Sequence, residues 1–272
     1  MARLEFALWD GFGKHEMALS PTAADIYDQH LKEAVMAEEL GYESYYIIEH
    51  QNSHVGQITA PSVYLCAVAQ QTSKLRIGVM IYQLPFYNPI RLAEEVATLD
   101  HLSHGRVEFG TGIGVAEHEF MRWNLPFFER QKMSSEALEI IVKAWTQDEV
   151  TYDGQFWQFD EALPVPKPYQ QPHPPIWVAA LQPATYEIAA QKGIGVMALG
   201  VNAPSILEPE IKKYKAAVKN ANPVGAFTND QWLSSCFGLC GEDNKATQEL
   251  SAQSLKTFFG PGRPYVQDQK DV

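Results

Sequence analysis

The sequence predicts an α/β fold in which parallel strands alternate with helices, either as an open doubly wound sheet or as a (β/α)8 barrel. Short apolar runs recur along the 272 residues, and they are continuous rather than alternating, as in strands covered on both faces. Amphipathic segments with apolar residues three and four apart separate these runs. Several runs end in polar or glycine-rich tips, which would meet at one mouth in a barrel, so we favour the barrel.

The predicted elements form seven strand–helix pairs. Strands are predicted at 4–10, 44–50, 75–85, 106–114, 175–181, 195–200 and 232–239. Helices are predicted at 22–40, 60–72, 89–104, 130–146, 183–192, 204–219 and 243–258. The polar tips are Asp10, Glu49-His50, Gln83 and the glycine-rich segment 110–114.

The whole chain, 1–272, is predicted to be a single barrel domain, and one segment interrupts its alternation of strands and helices. Residues 147–174 combine a hairpin pattern, with a two-residue type I′ turn at Asp153-Gly154, and a proline-rich connection. We expect this insertion to form an active-site wall or lid.

After the seventh helix the sequence predicts no eighth strand or helix. We therefore expect a barrel that lacks its eighth unit in this chain, because the chain is a fragment or because something else covers the gap.

Composition argues against several classes of partner. The formal net charge is −12 and no run of basic residues occurs, which argues against nucleic acid and against an anionic membrane surface. The three cysteines, Cys66, Cys236 and Cys240, are too few for a disulfide framework, and Cys236 and Cys240 are predicted to be core thiols. No signal segment or membrane span is predicted, so the expected location is the cytoplasm.

The segment Glu49-His50, followed by His54, is the strongest candidate for chemistry. A zinc site would require the two histidines on one face of a helix together with a third ligand. His50 instead follows an apolar strand, so we predict no metal site. A histidine at the tip of a barrel strand suits proton transfer near neutral pH. A hydrogen-bonded histidine with a purely structural role remains the alternative.

The glycine-rich segment 110–114 does not match the dinucleotide fingerprint G-x-G-x-x-G. Its glycines indicate that something approaches the backbone closely, and the sequence leaves open whether this is a ligand or a neighbouring strand.

Three segments together resemble the bacterial-luciferase-like family of flavin-dependent monooxygenases. They are "EHQNSHVG", "RIGVMIYQLPFYNPIRLAEEVATLDHLSHGRVEFGTGIG" and "PVPKPYQQPHPPIWVAA". The resemblance implies a (β/α)8 TIM barrel of the luciferase-like type. It also implies that reduced FMN, supplied by a separate NAD(P)H:flavin reductase, binds at the mouth and reacts with O2 through a C4a-hydroperoxide. The substrate would be a small, apolar organic molecule, and two barrels would pair as a homodimer or heterodimer.

The same resemblance implies roles for individual residues. His50 takes the position of the catalytic histidine, whereas Gln51 replaces a second histidine that relatives often have. From the residues themselves, Glu49 either orients His50 or points away from it, because neighbouring residues of a strand face opposite sides. Met80 and Ile81 correspond to a non-prolyl cis peptide under the flavin ring. The remaining predicted cofactor-binding residues are Gly110, Gly112, Ala180, Leu181 and Thr185.

The cofactor phosphate is predicted to bind without an arginine. Gly112 and Ile113 stand where luciferase has a cysteine and the phosphate-binding arginine, so phosphate binding would fall to backbone N–H groups and the helix start near Thr185. Two alternatives stay open: a deazaflavin (F420)-dependent oxidoreductase on the same barrel, and a non-catalytic or truncated flavin-binding barrel.

Overall fold

The computed structural model describes residues 4–51, 56–198 and 204–259. Its strands are β1 Ala7–Asp10, β2 Ser44–Ile47, β3 Arg76–Val79, β4 Tyr82–Gln83, β5 Val107–Gly112, β6 Val150–Asp153, β7 Gln158–Ala162, β8 Ile176–Ala180, β9 Gly195–Ala198 and β10 Trp232–Ser234. Its helices are α1 Lys14–Met17, α2 Ala23–Glu39, α3 Pro61–Gln71, α4 Pro89–Leu102, α5 Glu117–Arg122, α6 Arg130–Thr146, α7 Pro183–Gln191, α8 Pro204–Ala217 and α9 Asn244–Phe259. Every predicted strand and helix has a counterpart, the predicted strand 75–85 is divided into β3 and β4, and α1 and α5 are additional short elements.

Eight of these strands form one curved parallel sheet. Its order is β1-β2-β3-β5-β8-β9-β10, with β4 also pairing with β5. Because each neighbouring pair is parallel, all the carboxyl ends of the strands lie along one edge. This is a partial (β/α) barrel of seven units, as predicted. Within the described residues, β1 and β10 are its two outer strands.

The two faces of the sheet carry different side chains because successive residues of a strand point to opposite sides. On β2, Tyr45 and Ile47 join the large core between the sheet and the helices. Tyr46 faces the barrel interior, where it packs with Met80, Trp177 and Met197. The interior is therefore filled by large aromatic and methionine side chains near the middle of the sheet.

A buried arginine fixes the turns at the amino-terminal edge of the sheet. Arg106 donates hydrogen bonds to the backbone oxygens of Ala69, Thr72, Leu75 and Ser103 at 2.6–3.1 Å. These bonds satisfy carbonyl groups at the end of α3, which would otherwise lack partners. The residue thus has a structural role, far from the edge that carries the strand tips.

The insertion begins with the predicted hairpin, but the predicted type I′ turn is wrong. Strands β6 and β7 are antiparallel and Asp153 pairs with Gln158, so the loop spans residues 154–157 rather than two. One oxygen of Glu136 on α6 accepts the N–H groups of Phe156 and Trp157 at 3.0 and 2.9 Å. This carboxylate stabilises the longer loop against α6.

The proline-rich part of the insertion packs on the side of the sheet opposite to the mouth. Lys167 Nζ donates to the backbone oxygens of Ala144 and Gln147 at the end of α6. Gln170 donates its N–H to Asp100 Oδ2 at the end of α4, 2.7 Å away. These contacts place residues 167–170 at the amino-terminal edge of the strands, whereas Phe156 and Trp157 of the hairpin line a cavity with Tyr87. An active-site wall or lid formed by the insertion stays a prediction.

The prediction that Cys236 and Cys240 are core thiols is wrong. Cys236 and Cys240 are exposed and Cys66 is half-buried. The segment after β10 carries the two exposed thiols on irregular backbone with few buried neighbours. Within the described part of the chain, no helix has the length and hydrophobicity needed to cross a bilayer.

Candidate active site

The predicted site residues follow four neighbouring strands at the carboxyl edge of the sheet. His50 follows β2, Met80 and Ile81 follow β3, Gly112 ends β5 and Ala180 ends β8. These strands are adjacent in the order β2-β3-β5-β8. The fold therefore brings the predicted residues to one edge, whereas His54 lies outside the described residues.

The partner of His50 is a glutamate that the sequence did not single out. Nδ1 of His50 lies 2.8 Å from Oε1 of Glu119 on α5. The exposed fractions of the two residues are 9% and 0%. Nothing in the sequence distinguishes Glu119 from the exposed Glu117 two residues earlier, except that the buried Phe120 follows it.

Gln83 joins the two carboxylates of this site. Its side-chain Nε2 donates to Glu119 Oε2 at 3.1 Å and to the backbone oxygen of Glu49 at 3.2 Å. Its backbone N–H donates to Glu49 Oε2 at 2.9 Å. Gln83 thus connects Glu49, the residue beside His50, to the carboxylate of Glu119, which contacts the imidazole of His50.

The carboxylate of Glu49 points away from His50. Oε1 accepts hydrogen bonds from Tyr87 Oη at 2.5 Å and from Gln51 Nε2 at 2.7 Å. Burial raises the pKa of Glu49 to about 7, against the opposing effect of the hydrogen bonds from Tyr87, Gln83 and Gln51. The orienting role suggested for Glu49 does not match this geometry, because Glu119 holds the imidazole instead.

Gln51, in the position of the replaced histidine, also belongs to this network. Besides Glu49, its Nε2 donates to the backbone oxygen of Thr59 at 3.0 Å. Gln51 is buried. Its amide therefore ties the end of β2 to the segment that leads into α3.

The peptide bond between Met80 and Ile81 is cis, as the resemblance implied. Met80 belongs to the apolar interior cluster, and Ile81 packs against it. Together they give the carboxyl edge of β3 an apolar surface next to the network around Gln83. A flat aromatic ring system can lie on such a surface.

The glycines of the 110–114 segment make room for the chain itself. A Cβ on Gly110 would collide with the backbone oxygen of Val79, and one on Gly112 would collide with the side chain of Ile81. The close approach therefore comes from the neighbouring strand, which is one of the two readings the sequence left open. Contact of Gly110 and Gly112 with a cofactor stays a prediction.

Gly114 serves the hydrogen-bond network. Its φ is +75°, and a Cβ there would lie 2.7 Å from Gln83 Oε1 and 2.8 Å from Phe120 Cε2. Glycine adopts this backbone conformation without steric cost. The last glycine of the motif thus allows Gln83 and α5 to approach each other.

The predicted phosphate-binding residues lie at the end of β8 and the start of α7. Ala180 is buried, Leu181 is 49% exposed, and Thr185 lies in the first turn of α7. The N–H of Thr185 donates to Gln182 O at 2.9 Å, which leaves its hydroxyl as the group to offer an anion. Residues 181–191 contain no lysine or arginine. An FMN ring system fits the apolar surface at Ile81, whereas a phosphate at this loop would rely on polar, uncharged groups.

Asp10, which the sequence placed among the tips meeting at the mouth, faces the helices instead. Its carboxylate contacts His30 Nδ1 on α2 at 2.8 Å and accepts a hydrogen bond from Tyr45. His30 Nε2 lies 3.0 Å from Glu16 Oε1. The reason is the alternation along β1, which puts Trp9 inside the barrel and Asp10 outside it.

This second cluster has the donor types of a metal site. Ligand atoms of Asp10, His30 and Glu33 lie within 4.8 Å of one another. Burial lowers the pKa of His30, but the hydrogen bond and charge of Asp10, with Glu16 and Glu33, outweigh burial and raise it to about 9. A protonated imidazole cannot ligate a metal, so an ion pair accounts for the cluster.

This chain resembles known flavin-dependent oxygenases in sequence. It is 31% identical over 177 residues to the oxygenase component of flavin-dependent trigonelline monooxygenase from Acinetobacter baylyi, covering 64% of this chain and 49% of that protein. The chain spans about half the length of the curated relatives it matches.

Two solved structures share the fold. The FMN complex of the oxygenating constituent of 3,6-diketocamphane monooxygenase from Pseudomonas putida has a TM-score of 0.77 and 22% identity, covering 92% of this chain and 71% of that chain. An F420-dependent secondary alcohol dehydrogenase has a TM-score of 0.68 and 23% identity, covering 82% of this chain and 66% of that chain. The sequence model of the luciferase-like monooxygenases matches residues 5–263. The chain therefore belongs to the luciferase-like monooxygenase family.

Proposed function

We propose that this chain is a flavin-dependent monooxygenase that uses reduced FMN and O2 to oxidise a small, apolar organic molecule. The observation that carries the proposal is a buried imidazole at the carboxyl edge of the sheet, held 2.8 Å from the fully buried Glu119. His50 is the group that would donate or accept a proton there. When bound, reduced FMN would supply the electrons that activate O2.

The residues around His50 suit chemistry that must exclude water. Ile81 and Met80 offer an apolar surface on which the flavin ring would rest, and Gly110 and Gly112 lie on the adjacent strand. Ala180, Leu181 and Thr185 would hold the phosphate end. Apolar walls keep water from reactive groups in such sites.

The proposed substrate is apolar because the described surroundings of the network are rich in aromatic side chains. A cavity of about 320 Å³ lies beside Tyr87, lined by Pro85, Phe86, Tyr87, Asn88, Trp123, Leu125, Met133, Phe156 and Trp157. Tyr87 bonds to Glu49, so this cavity adjoins the network. Its lining carries no charged side chain that would select an anion.

An anaerobic titration decides between the candidate cofactors. The chain would be titrated with reduced FMN and, separately, with reduced F420, while cofactor fluorescence and absorbance are followed. Oxygen labelled with 18O would then be admitted together with apolar aldehydes, ketones and terpenes. Saturable FMN binding and 18O in a product would support the proposal.

The other outcomes identify the alternatives. Preferential F420 binding, with hydride transfer and no labelled oxygen in the product, would indicate an F420-dependent oxidoreductase. FMN binding without turnover would indicate a non-catalytic flavin-binding barrel, and a folded chain that binds neither cofactor would contradict the proposal.

Ile81→Glu should abolish FMN binding by placing a charge on the apolar surface. Leu250→Glu, on the exposed side of α9, is the matched control and should leave binding unchanged.

Two partners belong to the proposal. An NAD(P)H:flavin reductase would supply reduced FMN, which agrees with the "oxygenase component" in the name of the trigonelline relative. Pairing of two barrels is supported by exposed apolar side chains on the outer helices, namely Met36, Leu40, Val63 and Leu102. Light scattering after size exclusion would give the mass, and a monomer at micromolar concentration would contradict pairing.

A further inference from the structure

We propose that Glu119 is a positioning residue that holds the imidazole of His50 in one orientation and one tautomer, with the proton on Nδ1. The inference rests on the proposed role of His50, but it concerns only side chains of this chain. The contact that suggests it is the 2.8 Å separation between His50 Nδ1 and Glu119 Oε1.

The two contacts of Glu119 indicate which atom donates. Glu119 is fully buried, and an ionised carboxylate that lacks partners is costly in such a place. Its two oxygens face His50 Nδ1 at 2.8 Å and Gln83 Nε2 at 3.1 Å. Gln83 Nε2 donates to Oε2, and the proposal assigns the same accepting role to Oε1, so that both oxygens accept, as in an ionised carboxylate, and Nδ1 carries the proton.

The orientation of the Gln83 amide supports this assignment. Its Nε2 also donates to the backbone oxygen of Glu49, 3.2 Å away, and a carbonyl oxygen can only accept. The amide nitrogen must therefore face both Glu49 and Glu119. The backbone N–H of Gln83 bonds to Glu49 Oε2, which fixes the strand that carries this amide.

The helix that carries Glu119 is anchored by aromatic packing. Phe120 is fully buried, and its ring centroid lies 4.7 Å from that of Phe86 and 5.3 Å from that of Phe127. Because Phe120 adjoins Glu119, the carboxylate has little freedom to turn away from His50. Glu117, on the same helix, is exposed and provides a matched control.

The assigned tautomer determines which nitrogen exchanges protons. With a proton on Nδ1, the neutral ring has its lone pair on Nε2, and this nitrogen is the one that gains or loses a proton. Glu119 stabilises the imidazolium that then forms. In Glu119→Gln the side-chain amide can itself donate to Nδ1, which would favour the opposite tautomer.

The tautomer can be measured without any cofactor. The chain would be labelled with 15N at histidine, and the ring nitrogens of His50 assigned by comparison with His50→Gln. We expect the wild type and Glu117→Gln to show a protonated Nδ1 and an unprotonated Nε2 at a pH where the ring is neutral. Glu119→Gln should lose this signature, and its kcat should fall roughly 10²-fold with unchanged flavin affinity.

Two results would overturn the inference. One is a wild-type His50 that carries its proton on Nε2, which requires no variant and so does not depend on the folding of Glu119→Gln. The other is a folded Glu119→Gln protein, shown by its near-UV circular dichroism, that keeps the Nδ1–H tautomer. A chain that shows the expected tautomer but binds no flavin would contradict the proposed function and leave the positioning role intact.

Discussion

His50 and Glu119 are 69 residues apart in the sequence, yet His50 Nδ1 lies 2.8 Å from Glu119 Oε1 in the folded chain. One follows β2 and the other lies in α5, which comes after β5. Strand β3 lies between these strands in the sheet. It is followed by β4, which carries Gln83, and Gln83 Nε2 donates to Glu119. Three consecutive β/α units thus contribute one residue each to the candidate site.

The first prediction concerns His50 itself. Replacing His50 by alanine removes the proposed acid/base group, and we expect the rate of substrate oxygenation to fall by about 10²–10⁴-fold. Flavin binding should persist because the apolar surface at Ile81 is unchanged. Single-turnover kinetics with reduced FMN and O2 would measure the effect.

A histidine at the other end of the barrel serves as the control for this substitution. His101 is exposed, and its Nε2 lies 2.9 Å from Lys167 O at the amino-terminal edge of the sheet. His101→Ala should leave the oxygenation rate within a factor of two or so of wild type. An unchanged rate in His50→Ala would refute the assignment of His50.

The second prediction concerns Gly114. Gly114→Ala forces an L side chain into φ +75° and places its Cβ 2.7 Å from Gln83 Oε1. The left-handed conformation costs roughly 1–2 kcal/mol and the crowding adds about 1–3 kcal/mol. The free energy of unfolding of Gly114→Ala, measured with urea, should be lower than that of wild type by the sum of these two costs.

Gly41→Ala separates the two contributions. Gly41 has φ +85° and no atom within 4 Å of a Cβ built there, so this substitution introduces the backbone cost alone. Equal losses of stability in the two variants would contradict the proposed crowding of Gln83 and α5 at Gly114.

Most of the fold could be predicted from sequence because its signals are local. Helix α2 shows this: Thr22 and Asp25 form a capping box, and Ile26, Ala34 and Ala37 are its buried apolar face. Continuous apolar runs likewise indicated strands covered on both sides. The hairpin turn was misjudged because Glu136, which stabilises the longer loop, is distant in sequence.

The site was only partly predictable because its contacts are between distant segments. The position of His50 at a strand tip could be predicted, since it follows directly from the end of an apolar run. The direction of the Glu49 side chain and the burial of Glu119 depend on how α5 packs onto the sheet. No local pattern distinguishes Glu119 from Glu117, so its role emerged only from the folded chain.

The third prediction concerns the pH dependence that Glu49 introduces. Its pKa is raised from 4.5 to about 7, so the unfolded chain releases this proton first as the pH rises. Its contribution to stability therefore decreases between about pH 4.5 and pH 7 and is constant above that range, a change of roughly 3 kcal/mol. Urea unfolding at several pH values would measure it. Between these pH values, the free energy of unfolding of wild type should decrease more steeply with pH than that of Glu49→Gln. Parallel curves would mean that the pKa of Glu49 is the same in the folded and the unfolded chain.

The fourth prediction concerns the ion pair on the outer side of β1. His30 is buried, with Nδ1 2.8 Å from Asp10 Oδ2 and Nε2 3.0 Å from Glu16 Oε1. Its pKa rises from 6.5 to about 9 in the folded chain, because the carboxylates favour the imidazolium more than burial disfavours it. The folded chain thus binds the proton more tightly than the unfolded chain does.

The sign of the effect is the same as for Glu49, but the pH range is higher. The stabilisation is complete below about pH 6.5 and is lost as the pH rises through about 9, a loss of up to about 3 kcal/mol. His30→Gln should be less stable than wild type at pH 6, and the difference should shrink by about this amount at pH 9.5. Asp10→Asn should reduce the same pH-dependent component, since it removes the nearest carboxylate. A constant difference between wild type and His30→Gln from pH 6 to 9.5 would show that the pKa of His30 is the same in the folded and the unfolded chain, which would contradict the ion pair.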